Sequence, residues 1–127
     1  MTEGSPAARV EGLGSAHKGT SHFIQQRVTA VALVPLAIWF AVSAFHLIGA
    51  DRNAAIAFLH APINAILMAL FVVAAVVHMA LGLEMVIEDY VHGAGGKLVL
   101  LVLNKFFAWL VGAACVFALI KIAVTPG

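Results

Sequence analysis

Residues 62–83 read PINAILMALFVVAAVVHMALGL and contain no charged side chain. They form the centre of a longer uncharged stretch, 53–83, of 31 residues. A helix needs about 20 consecutive apolar residues to cross the roughly 30 Å hydrocarbon core of a bilayer, so this stretch is long enough for one membrane span. Pro62 suits the first turn of a helix because its missing N–H needs no partner there. We therefore expect the span to begin near Ala61, and the segment 52–60 to be an interfacial link.

Two further stretches have the same character on either side of the first. Residues 28–50 contain 23 uncharged residues, and residues 98–120 contain 23 residues interrupted only by Lys105. The strict alternation that a membrane β-barrel requires is absent from all of them. The sequence therefore predicts an all-α membrane protein with three transmembrane helices, at about 28–50, 61–90 and 98–120. The glycine-rich stretch 93–96 is predicted to reverse the chain before the last helix.

The composition agrees with this prediction. Of the 127 residues, 63% are hydrophobic and only 10% are charged, and the mean hydropathy is +1.05. A soluble domain carries about a quarter of its residues as charges, so a conventional globular protein is excluded. A disordered chain or a nucleic-acid-binding domain is excluded too, because the net charge is only +1. The single cysteine, Cys115, excludes an internal disulfide.

The first 27 residues are polar and glycine-rich and carry both signs of charge. We interpret residues 1–27 as a polar N-terminal tail and residues 28–127 as a membrane anchor domain. Positive side chains favour the cytoplasmic side, and the three-span model places five on the side of the N-terminus and two on the other. The five are Arg9, Lys18, Arg27, Lys97 and Lys105, and the two are Arg52 and Lys121. This predicts a cytoplasmic N-terminus. The segment lacks a transit-peptide pattern, which favours a bacterial inner membrane over a mitochondrial one.

His78 has an unusual position for a polar side chain, because it lies inside the second span. A neutral imidazole can ligate haem iron through one ring nitrogen while the other donates a hydrogen bond. The alternative is a histidine hydrogen-bonded to a neighbouring helix. Gly82, one turn later on the same helix face, would let a flat macrocycle approach the backbone. It would equally serve a tight contact between helices.

Three residues near one membrane surface could bind a quinone. Tyr90 can donate a phenol hydrogen bond to a quinone carbonyl, and Asp89 can orient that donor. Arg27, at the start of the first span, could bind a propionate, a quinone oxygen or Asp89. Alternatively, Tyr90 anchors the helix at the headgroup level and Arg27 extends to lipid phosphates. We expect Glu84 and Glu88 to face solvent or a partner.

Two stretches resemble a known family. Residues 78–90, HMALGLEMVIEDY, resemble the second-helix motif of the succinate dehydrogenase hydrophobic membrane anchor subunit, the D-type chain. That motif has a histidine, three residues, a glycine, and then an Asp-Tyr pair at the helix end. Residues 22–30, HFIQQRVTA, resemble the start of its first helix. The resemblance runs from about His22 onward. The sister C-type chain carries a Ser-x-x-His-Arg-x-Thr-Gly stretch that this sequence lacks, so the D-type assignment is preferred.

The resemblance implies roles residue by residue. His78 matches the axial ligand of haem b, with the second ligand from the cytochrome b556 C-type subunit, so the chain would form half of a heterodimeric haem-binding helical bundle. Tyr90 matches the tyrosine that hydrogen-bonds ubiquinone, and Asp89 matches its acidic neighbour. Arg27 matches the arginine near the quinone pocket and the haem propionates. FAD and iron–sulfur clusters belong to a flavoprotein subunit and an iron–sulfur subunit.

The resemblance therefore implies a non-catalytic anchor subunit of succinate:ubiquinone oxidoreductase, acting in the tricarboxylic acid cycle and the respiratory chain. Two alternatives are the anchor of a fumarate reductase and a small structural or transport membrane protein without a cofactor. A proton-coupled transporter usually needs a carboxylate embedded in the membrane, and none lies within the apolar stretches 28–50, 53–83 and 98–120.

Overall fold

The computed structural model describes residues 6–126, with side chains from Thr20 onward. This part of the chain consists of four helices and their short connections. They are α1 (Pro6–Leu47), α2 (Arg52–His60), α3 (Pro62–Tyr90) and α4 (Ala94–Val124). The long helices α1, α3 and α4 each contain a segment long and apolar enough to cross a membrane. The prediction of an all-α protein with three membrane-spanning helices is confirmed.

Helix α1 begins much earlier than the sequence patterns indicate. It starts at Pro6 rather than near residue 28, so most of the predicted polar tail is helical, and only residues 1–5 of that tail lie outside the described part. Extending an existing helix costs far less than nucleating one. The two alanines that follow Pro6 are the strongest helix formers, and a proline is well accepted in a first turn.

The segment 52–60, predicted as a link, is the helix α2. Asp51 caps it, since the Asp51 carboxylate accepts a 2.8 Å hydrogen bond from the backbone N–H of Ala54. The preceding turn contains Gly49, whose φ of 80° lies in the left-handed region. The N–H of Ala50 donates to the carbonyl of Leu47 at 3.0 Å and closes the end of α1. A polar cap and a permissive glycine thus redirect the chain at this end.

Helix α4 also begins earlier than predicted, at Ala94 instead of residue 98. The turn between α3 and α4 comprises only residues 91–93. Gly95 and Gly96 therefore lie in the first turn of α4 and not in the reversing turn. A glycine inside a helix costs about 1 kcal/mol relative to alanine, and the packing of α4 along α3 outweighs that cost.

Helix α3 lies centrally and contacts the other three helices. The rings of Phe40 in α1 and Phe71 in α3 stack with centroids 4.8 Å apart. Because the helices run antiparallel, the bundle has two ends. The end of α3 and the start of α4 meet at one end, called here the Tyr90 end. Helix α2 lies at the opposite end, where the Nε2–H of His60 donates to the carbonyl of Thr125 after α4.

From Thr20 onward, where side chains are described, the chain buries almost no large side chain by itself. Among the described residues, only Ser43, Asn104 and Ala108 are more than nine-tenths buried. Large apolar side chains such as Phe45 and Trp109 are 76% and 78% exposed. Such a surface is stable against lipid or a partner subunit rather than against water.

Candidate functional site

His78 lies on the face of α3 that packs against α1. Its Nδ1 atom is 3.1 Å from the hydroxyl oxygen of Thr29 in α1, and both side chains are partly buried. Tyr90 lies 12 positions after His78, which corresponds to about 18 Å along a helix, so the imidazole lies deep in the bundle. The hydrogen bond to a neighbouring helix occupies Nδ1 only. Nε2 is the nitrogen left for a ligand, so the two interpretations of His78 are compatible.

Gly82 faces Gln26 of α1, one turn from His78. A Cβ atom built on Gly82 would lie 3.9 Å from the Gln26 Nε2, which is an ordinary van der Waals distance. The α1–α3 contact therefore does not require a glycine here. The Oε1 atom of Gln26 is buried and has no hydrogen-bond partner within the described part of the chain.

An open groove of about 970 Å³ lies at the Tyr90 end, between α1, α3 and the start of α4. Its charged and titratable lining residues are His22, Arg27, Glu84, Glu88 and Lys105. We call this the charged groove. It contains two carboxylates, two permanent cations and one imidazole, so it is nearly balanced in charge and suits a polar group carrying either sign.

Glu84, which we expected to face solvent or a partner, instead packs against α1 of the same chain. Its carboxylate Oε1 is 3.9 Å from the Nδ1 of His22, and the Glu84 side chain is only 17% exposed, against 51% for His22. The reason is packing, because α1 covers the face of α3 that carries Glu84. Arg27 lies on the same side, with its guanidinium carbon 5.0 Å from the ring centroid of Phe23, which is a cation–π distance.

Asp89 and Tyr90 lie outside the charged groove, and both are exposed, Tyr90 to 78%. Consecutive residues of a helix are about 100° apart, so a face that presents Glu84 and Glu88 turns the next residues away. The structure therefore brings Arg27 together with Glu84 and Glu88 and not with the Asp-Tyr pair. A binding site at Tyr90 needs further walls beyond the side chains that the structure describes.

Three polar residues inside the helices have contacts that the sequence did not predict. Thr29, Gln26 and Asn104 received no role, yet Thr29 contacts His78 and Asn104 joins two helices. The Nδ2 of Asn104 donates to the carbonyl of Ala80 at 2.9 Å. The signal was available, because an amide or hydroxyl inside a span needs a partner. Within the described residues there is no cluster of three or more histidine, cysteine or acidic side chains able to hold a metal ion.

Comparison with known proteins decides the family. The family model described as succinate dehydrogenase/fumarate reductase transmembrane subunit matches residues 1–120. The chain belongs to this family. The match includes the N-terminal segment, so the similarity extends further than the predicted start near His22. The chain is a multi-pass membrane anchor subunit of that family, and the anchor type is itself non-catalytic.

Curated relatives within the family share one name. The succinate dehydrogenase hydrophobic membrane anchor subunit of Paracoccus denitrificans is 36% identical over 120 residues, covering 94% of this chain and 92% of the relative. The protein of the same name from Rickettsia bellii is 32% identical over 110 residues, covering 87% and 88%. That from Rickettsia typhi is 29% identical over 105 residues, covering 83% and 84%. No solved structure matches the chain significantly.

Proposed function

We propose that this chain anchors a succinate:ubiquinone oxidoreductase in a bacterial inner membrane, supplies one axial ligand to haem b, and forms part of the ubiquinone site. The observation that carries the proposal is the position of His78 in a chain of this family. His78 is partly buried, deep in the bundle, with Nδ1 hydrogen-bonded and Nε2 available. These are the properties of an axial ligand.

The residues present fit a haem shared between two chains. This chain has one histidine at a suitable depth, so the second ligand comes from the cytochrome b556 C-type subunit. Gly82 leaves space on the helix face that carries His78, and the contact between α1 and α3 does not require a glycine at this position. When bound, a haem b supplies a one-electron carrier whose potential the axial ligands set. The chain itself holds the ring of His78 in place and contributes apolar surface.

The ubiquinone site is assigned to the Tyr90 end. The Tyr90 phenol is exposed and can donate a hydrogen bond to a quinone carbonyl, and Asp89 can hold that phenol in position. Arg27 approaches from α1, and its guanidinium rests on the Phe23 ring and is exposed. It can therefore bind an anionic or carbonyl oxygen at the groove. The partner subunits supply the remaining walls.

The rest of the reaction belongs to partner subunits. This chain has a single cysteine and so cannot ligate an iron–sulfur cluster by four thiolates. We assign FAD to a flavoprotein subunit and the clusters to an iron–sulfur subunit bound at the Tyr90 end. Five of the seven basic residues favour a cytoplasmic location for that end. The alternative is a fumarate reductase anchor, which the family description also includes.

The test is the variant Tyr90→Phe in the complex purified with its natural partners. We expect ubiquinone reduction by succinate to fall about tenfold, the value of one hydrogen bond of about 1.4 kcal/mol in the transition state. Succinate oxidation by a soluble artificial acceptor should stay unchanged, because that route bypasses the membrane site. A control is Trp109→Phe, since Trp109 is another aromatic side chain exposed to 78%.

Equal loss of both activities in Tyr90→Phe contradicts the proposal, because it shows failed assembly instead of a lost quinone contact. Loss of quinone reduction in Trp109→Phe of the same size also contradicts it. A complex whose physiological direction is fumarate reduction with a different quinone would favour the alternative anchor.

A further inference from the structure

We propose that Thr29 is the positioning residue of His78, which fixes the Nδ1–H tautomer of the imidazole and so directs the Nε2 lone pair to iron. The inference rests on the proposed function of His78 as a haem ligand. Thr29 lies in α1 and His78 in α3. The contact between them would set how strongly His78 binds the haem iron.

The Thr29 hydroxyl has a single proton to donate. The oxygen is 2.8 Å from the carbonyl of Gln25 and 3.1 Å from that of Gln26. A carbonyl oxygen can only accept, so the hydroxyl donates its proton to the backbone of its own helix. The same oxygen is 3.1 Å from the His78 Nδ1. With its proton already committed, the hydroxyl accepts there, and Nδ1 must be the donor.

The tautomer follows from that direction. A neutral imidazole carries one N–H, and with the proton on Nδ1 the lone pair lies on Nε2. Only this tautomer can ligate iron through Nε2 without first losing or moving a proton. The hydroxyl orientation is itself rigid, because threonine is stiff about its first side-chain bond and back-bonds to the preceding turn.

The contact also affects ligand strength. An imidazole that donates its second N–H to a fixed acceptor is held in orientation and becomes a more basic ligand. Loss of such a partner typically costs about 10–100-fold in affinity for the bound metal group. A more basic ligand favours the ferric state, so removal of the hydroxyl should raise the haem midpoint potential. Each tenfold loss of preference for ferric over ferrous haem corresponds to about 59 mV for one electron.

The experiment compares Thr29→Val, Thr29→Ala and Thr29→Ser in the purified complex. Valine keeps the branched shape without the hydroxyl, alanine removes both, and serine keeps the hydroxyl. Haem affinity is measured by transfer of haem to a scavenging haem protein, and the midpoint potential by redox titration of the b-type absorbance. Ser43→Ala is the matched control, because Ser43 is a buried hydroxyl residue of α1 at the far end of the bundle.

We expect Thr29→Val and Thr29→Ala to bind haem about 10–100-fold more weakly, with a raised potential. Thr29→Ser should remain within about threefold of the wild type, and Ser43→Ala should equal it. Wild-type affinity and potential in Thr29→Val would overturn the inference. A Thr29→Ser variant with the same loss of haem affinity and the same raised potential as Thr29→Val would also overturn it, because the effect would then come from packing. An equal change in Ser43→Ala would overturn it for the same reason.

The failure of the proposed function is distinguishable from the failure of this inference. If the wild-type complex has no b-type absorbance, or if His78→Ala retains it, the assignment of His78 falls and the inference with it. If His78→Ala loses the absorbance while both hydroxyl-free variants match the wild type, only the role of Thr29 is overturned.

Discussion

Replacement of Asn104 by leucine should leave the bundle as stable as the wild type or more stable, although it removes a hydrogen bond between helices. The amide nitrogen of Asn104 donates to the carbonyl of Ala80 at 2.9 Å, and the residue is only 8% exposed. Its Oδ1 is buried and has no partner within the described residues. The substitution to leucine keeps a side chain of similar size.

Two opposing free-energy contributions decide whether Asn104→Leu stabilises or destabilises the bundle. A hydrogen bond between membrane helices contributes on average about 0.6 kcal/mol. The Ala80 carbonyl keeps its own helical bond, so leucine leaves it satisfied. A buried polar atom without a partner costs about 1–3 kcal/mol. The expected net effect of Asn104→Leu is therefore a stabilisation of about 0.5–2 kcal/mol. Asn104→Ala loses the same bond and leaves a cavity, so we expect it to be about 1–2 kcal/mol less stable than the leucine variant.

The assay uses the only cysteine of the chain. Cys115 lies half-buried in α4, so its rate of labelling by a thiol reagent reports on opening of that helix. The purified chain is titrated from mild detergent into denaturing detergent, and the labelling midpoint gives the relative free energy of unfolding. A destabilisation of Asn104→Leu by more than about 1 kcal/mol contradicts this prediction, because the hydrogen bond would then outweigh the unpaired oxygen. Greater stability of Asn104→Ala than of Asn104→Leu would contradict the prediction as well.

Three further substitutions test the site and the α2 end. Gly82→Ala should leave stability close to wild type, because its Cβ would lie 3.9 Å from the nearest side-chain atom, and should lower haem content in the purified complex. Gly112→Ala is its control, with a Cβ contact of 3.5 Å and no expected change in haem; an equal haem loss in both contradicts the role of Gly82. Gly49→Ala should cost about 1–2 kcal/mol in the same labelling assay, because its φ of 80° is unfavourable for alanine; an unchanged midpoint contradicts this. Asp51→Ala should cost about 1 kcal/mol through loss of the α2 cap, seen as faster hydrogen exchange at Ala54, and unchanged exchange contradicts it.

The sequence was sufficient for the spans because the membrane imposes a simple requirement. Each run without charges had to be a helix of about 20 residues, and Pro62 marked where α3 begins. Outside the bilayer no comparable length requirement constrains the secondary structure. The sequence did not predict the helical start of α1 or the helix α2, because a glycine-rich composition disfavours a helix and a segment of nine residues is short for one.

The residues of the candidate site were also only partly predictable from the sequence. His78 could be selected from the sequence because a histidine is costly inside a membrane span. Its partner Thr29 could not be selected, since the register of α1 against α3 depends on packing between residues that are 49 positions apart. The same register places Glu84 beside His22, and it lines the charged groove with Arg27 and not with Tyr90. No pattern within one helix contains that information.

The proposed haem b ligand, His78, can be tested in a single comparison. The most direct measurement is the reduced-minus-oxidised spectrum of the complex, purified through this chain, for the wild type and His78→Ala. We predict a b-type band in the wild type, its loss or strong reduction in His78→Ala, and a co-purifying flavoprotein in the wild type. A wild-type complex without the band and without the flavoprotein would contradict the account, as would an undiminished band in His78→Ala.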